Sequence, residues 1–121
     1  MSDGKKYLTF NGLREANKKR LAQFKNCHGF PAHSNPDGSD WTRSDWLEAT
    51  AGELGEYANF SKKFRRGDIA EEEFLENAAK ELADTMIYLD LLAFRLGIDL
   101  GEAVRDKFNL VSDRINCDIK I

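Results

Sequence analysis

The sequence predicts an all-α fold, a four-helix bundle, and three observations carry that expectation. Apolar residues recur at alternating steps of three and four, most clearly Leu75, Ala79, Leu82, Met86, Leu89, Ala93 and Leu96. Both prolines fall in one stretch, between residues 27 and 44, so the remainder carries no proline to break a helix. A charged content of 32% with so few prolines fits a compact, soluble, mostly helical protein.

At 121 residues the chain is expected to be one domain, with a modest core of its own. Eighteen basic against 21 acidic residues give a net charge of −3, which offers no general attraction to nucleic acid. No apolar run reaches membrane-spanning length, and the first ten residues, MSDGKKYLTF, lack the apolar centre of a signal peptide. A cytoplasmic protein is therefore expected. Cys27 and Cys117 lie far apart in sequence, and in an intracellular protein two free thiols are the preferred reading over a disulfide. There is no internal repeat and no low-complexity tract.

Residues 1–8 read as a polar, loosely held tail. The spacing of Leu13, Ala16, Leu21 and Phe24 predicts a first helix from Thr9 or Asn11 to about Lys25, with Asn17 and Arg20 on one side of it. Residues 27–44, CHGFPAHSNPDGSDWTRS, break every periodicity and read as a long loop, a feature that is often functional in a small domain. Cys27, His28 and His33 lack a fourth ligand and match no usual zinc spacing. Trp41 and Trp46 bracket the end of this loop, and Ser44 is the expected N-cap of a second helix over about 45–63. Gly52 and Gly55 each cost that helix about 1 kcal/mol relative to alanine, which points to a close approach of a neighbouring helix or a ligand. Lys62, Lys63, Arg65 and Arg66 complement its C-terminus, and Gly67 closes it.

A third helix is expected over about 72–96, with the Leu75–Leu96 stripe facing the core. Its other faces are apolar too, through Ile87, Leu91, Leu92 and Phe94. Three partner helices of one short chain can hardly cover all of them, so a subunit interface is expected. Gly97 ends this helix, and Asp99 caps a fourth through about Asn116.

The chemistry-bearing residues are four carboxylates. Glu53 and Glu56 stand three apart, as do Glu81 and Asp84, so each pair makes one acidic spot on a helix surface. Apolar residues surround both pairs, and carboxylates carried toward an interior are costly unless paired or bound to a cation. Two such pairs brought together form an all-oxygen donor set suited to Mg²⁺, with Mn²⁺ as substitute. A di-iron bundle would need Glu-x-x-His pairs, and no histidine follows His33. With lysines nearby, and without a Walker loop, phosphoryl or nucleotidyl chemistry is the class that fits.

The chain resembles the MazG-like nucleotide pyrophosphohydrolases, the all-α NTP pyrophosphatases. The resemblance runs through Trp46, GELGE at 52–56, KKFRRGD at 62–68, ELADTMIYLDLLAFRLGIDL at 81–100 and KFN at 107–109. It covers about residues 11–117 and is nearest to the short, single-domain type common in phages and mobile elements, some of which prefer guanine nucleotides. It implies Mg²⁺-dependent hydrolysis of a (deoxy)nucleoside triphosphate to monophosphate and pyrophosphate, in a homodimer or homotetramer. Carried over, Glu53, Glu56, Glu81 and Asp84 hold metal, and Glu53 or Glu56 activates water. Lys63, Lys107, Asn109 and Arg114 contact phosphates. The base lies between the first helix and the loop, against Phe24, Trp41 and Trp46, with Asn17 at its polar edge. The rival expectation is a catalytically silent helical oligomer serving as an interaction module.

Overall fold

Thr42 marks the start of the second helix. Its side chain accepts from the backbone N–H of Asp45 while Asp45 accepts from that of Thr42, a reciprocal capping box. In this computed structural model, which describes residues 7–121, four helices follow in order. They are α1 (Phe10–Leu21), α2 (Arg43–Arg65), α3 (Glu71–Arg95) and α4 (Leu100–Arg114). No strand occurs among the described residues, only two isolated bridges in the loop. The expected tail falls mostly outside the described residues, and Tyr7 and Leu8 are exposed.

Caps set the boundaries. Thr9 caps α1 by accepting from Gly12, and Asp99 caps α4 by accepting from Glu102. Thr42, two residues before the expected Ser44, caps α2, because only Thr42 has an acid at the N3 position to complete the box. Gly67 and Gly97 take the left-handed conformation (φ 81° and 71°) and close α2 and α3. Helix α1 stops at Leu21, short of Lys25, because Lys25 and Asn26 enter a tight turn in which Asn26 Oδ1 accepts from the backbone of His28 and Phe30.

Helices α2 and α3 form an antiparallel hairpin, in which Trp46 meets Tyr88 at one end and Phe64 stacks on Phe74 at the other, 4.9 Å between ring centres. Helix α1 lies across α3. Arg14 pairs with Asp90 at 3.0 Å and also donates to the carbonyl of Ile98 at 2.9 Å, tying α1 to α3 and to the α3–α4 turn. Asp90 is 1% exposed. Gly101 lets α4 approach α1, since a Cβ there would stand 2.9 Å from that of Phe10.

Of the expected stripe on α3, only Ala93 is buried. Leu75, Leu82, Met86, Leu89 and Leu96 are exposed, whereas Leu91 is buried and Ile87, Leu92 and Phe94 are partly covered. A helix apolar all round has no single amphipathic direction, so contacts with α1 and α2 decide which face turns inward. A Cβ at Gly52 or Gly55 would meet no described residue, so no other described helix makes the close approach expected there. The loop between α1 and α2 is not structureless. It is two tight turns, bridged at Lys25–Pro31 and Ser34–Asp40, each with a left-handed glycine, Gly29 and Gly38.

Candidate functional site

The four acids meet where α2 crosses α3. The antiparallel hairpin places the one-turn pair Glu53 and Glu56 opposite Glu81 and Asp84. Carboxylate oxygens of Glu53, Glu81 and Asp84 lie within 4.8 Å of one another. Glu56, exposed, stands beside Glu81 at the edge of that group. No described group donates to the sealed Oε2 of Glu81.

The electrostatics follow from that crowding. A hydrogen bond shared with Glu56 is the first reason that the Glu81 carboxyl is pushed up to about 7, followed by desolvation and the charges of Glu56 and Glu53. Glu53 is raised too, chiefly by desolvation, then by the negative charges of Glu56 and Asp84. No ion pair among the described residues involves any of the four.

Glu53 and Asp84 also form one end of a cavity of about 390 Å³ between α1, the loop and the α2–α3 hairpin. Asn17, Arg20 and Phe24 line it from the α1 side, Ile87, Tyr88 and Leu91 from α3, and His33 from the loop. Arg20 is its single cation, poised 5.5 Å over the Phe24 ring.

His33 is the keystone of the cavity wall. Its ring stacks on Trp46 (5.4 Å, 17°) and takes Phe24, Trp41 and Tyr88 edge-on. Its Nε2 shares a hydrogen bond of 3.0 Å with Tyr88 Oη, and burial lowers its pKa, so the imidazole is held neutral. Desolvation, then Glu53 and Asp84, raises the Tyr88 hydroxyl, which keeps its proton.

Of the expected base contacts, Asn17 and Phe24 line the cavity. Trp46 is fully buried beneath His33 and Trp41 packs edge-on against both, so the two tryptophans back the wall instead of forming its surface. The residues expected to contact phosphates do not line this cavity. Lys63 extends over the half-buried ring of Phe60, Lys107 lines an apolar groove along α4, and Arg114 is the last residue of that helix. Asn109 exchanges two hydrogen bonds of 2.9 Å with the backbone of Ile121. Arg20, His33 and Tyr88 were not singled out as site residues by sequence reasoning. The one available signal was the i,i+3 spacing of Asn17 and Arg20, which reads equally well as a solvated face.

Chemically, the arrangement joins an acidic, oxygen-rich corner to a pocket with one guanidinium and an aromatic wall. The corner suits a hard divalent cation, and the pocket suits a planar ring carrying negative charge. Compared with protein-family models, curated proteins and solved structures, the chain matches none.

Proposed function

We propose that this protein is a magnesium-dependent nucleoside triphosphate pyrophosphohydrolase that cleaves the α–β anhydride of a (deoxy)nucleoside triphosphate, releasing monophosphate and pyrophosphate. The observation that carries this reading is the junction of Glu53 and Asp84 with the cavity lined by Arg20, Phe24 and His33.

The donor set fits Mg²⁺ or Mn²⁺: three carboxylates with mutually close oxygens, one of them sealed and without a donor, and no internal cation. When bound there, such an ion supplies Lewis-acid polarisation of phosphate oxygens and offsets their charge. Glu53, Glu81 and Asp84 would hold it. Glu56, exposed at the edge of the cluster, would accept the proton of the attacking water, with Glu53 left to the ion. Arg20 would neutralise a phosphate from the opposite wall. The base would rest against Phe24 and His33, with purines favoured by their larger stacking faces, and a guanine preference is part of the proposal.

A homodimer or homotetramer is part of the proposal. The exposed stripe Leu75, Leu82, Met86 and Leu89 on α3 and the apolar groove of about 630 Å³ along α4 support it. Lys63, Lys107, Asn109 and Arg114 would reach a phosphate only where another protomer brings them. No described helix is long and apolar enough to cross a membrane.

These apolar faces equally favour the second reading, a catalytically silent helical oligomer. Thermal denaturation separates the two. The enzyme reading expects Mg²⁺ to raise the midpoint and a triphosphate to raise it further, and expects Asp84→Asn to abolish both shifts. A midpoint indifferent to Mg²⁺ and to every common nucleotide favours the silent oligomer.

A further inference from the structure

We infer that Asn17 determines ligand specificity by offering the cavity a hydrogen-bond acceptor only, and that Asp90, backed by Arg14, is the positioning residue that fixes this polarity. The ligand class is a planar heterocycle with an N–H donor on its edge, an inference that rests on the nucleotide reading above.

A carboxamide has two chemically opposite ends, and a free one can turn either toward a ligand. Asn17 is not free. Its Nδ2 donates to Asp90 Oδ2 at 3.0 Å and to the carbonyl of Ile87 at 3.3 Å, both of which only accept. Turning the amide over would set Oδ1 against a carboxylate and a carbonyl in a site sealed from water. Asp90 is itself held in place, because the Nε of Arg14 donates to its two oxygens at 3.1 and 3.2 Å.

The other end faces the cavity. Asn17 is 3% exposed and lines the cavity, no described group donates to its Oδ1, and that atom is not among those cut off from solvent. A ring lying on Phe24 or His33 would meet a fixed acceptor at its edge. Adenine and guanine both carry N–H groups to meet it, whereas an unsubstituted purine offers only ring nitrogens that accept. A buried site built for one polarity rejects an analogue lacking it, because its own polar atom is then left unpaired.

Equilibrium binding of monophosphates in Mg²⁺, read by tryptophan fluorescence, tests this without requiring turnover. Wild type should bind dGMP or dAMP about tenfold or more tightly than the monophosphate of unsubstituted purine deoxyriboside. Asn17→Ala should bring that ratio to about one. Asp90→Asn, which allows the Asn17 amide to turn, should tighten binding of the unsubstituted purine while weakening that of dGMP, a crossover that general loosening of the fold does not produce. Should Asn17→Ala fail to fold, the wild-type ratio and the Asp90→Asn crossover decide. A wild-type ratio near one, or no binding of any of the three, overturns the inference. Hydrolysis of triphosphates with a ratio near one sinks this inference alone. A tenfold ratio without hydrolysis sinks the pyrophosphohydrolase reading alone.

Discussion

Arg14 and Asp90, 76 residues apart in sequence, meet in an ion pair at 3.0 Å whose acid is 1% exposed and also accepts from Asn17. Fold and site are joined at this point, since the same carboxylate anchors α1 to α3 and orients a side chain of the cavity. Removing Asp90 leaves the mostly buried Arg14 guanidinium and the Asn17 amide without their shared acceptor. Asp90→Ala should therefore cost about 3–5 kcal/mol of folding stability in urea titrations. The double variant Arg14→Met/Asp90→Leu, which removes both charges, should cost much less. Equal losses in the two proteins would contradict this account of the pair.

The acid cluster sets a pH dependence with an unusual sign. The Glu81 carboxyl titrates near 7 in the folded chain against an ordinary 4.5, so between those values the folded state holds more protons than the unfolded one. Stability of the metal-free protein should fall as pH rises from about 4.5 through 7, and level off above. Glu53, raised as well, adds to the slope in the same direction. Thermal midpoints in EDTA from pH 4.5 to 8.5 measure this. Glu81→Gln should flatten the curve and raise the midpoint at pH 8. An unchanged slope in that variant would mean that the repulsion lies elsewhere.

The apolar stripe left outside on α3 predicts assembly. Light scattering at micromolar concentration should give at least a dimer, and Leu75→Glu/Leu89→Glu should shift the mass toward the protomer. A wild-type monomer whose stability is unaffected by these substitutions would show that the stripe has no partner.

Much of this was legible in sequence because it is local. Thr9, Asp99, Gly67 and Gly97 mark helix ends through contacts within four residues, and the acid pairs declare themselves by spacing three; the cap of α2 lies two residues from the expected Ser44, at Thr42, where Asp45 completes the box. The inward face of α3 was not legible, since apolar residues on every side leave periodicity without a direction. Nor was the cavity wall. His33 meets Tyr88 across 55 residues, and Arg14 meets Asp90 across 76, so neither pairing leaves a periodic trace. Trp46 illustrates the remaining ambiguity: an aromatic residue beside a site can face the ligand or support the residue that does, and His33 lies over it.

Phe24, 42% exposed at the mouth of the cavity, should act on binding more than on chemistry. Phe24→Ala is expected to raise KM about tenfold for all bases with kcat little changed, the loss of one stacking contact of about 1–3 kcal/mol. A fall in kcat with constant KM would move Phe24 from base contact to catalysis.

As proposed above, the four carboxylates on α2 and α3 serve metal-dependent hydrolysis of the triphosphate chain. Pyrophosphate release from the common NTPs and dNTPs, with Mg²⁺ and with EDTA, tests it most directly in wild type and in folded Glu53→Gln and Asp84→Asn. Release of pyrophosphate is expected, fastest with a purine triphosphate, and should vanish in EDTA and fall at least a hundredfold in both variants. Release that persists in EDTA, near-normal rates in both variants, or no release from any nucleotide would contradict it.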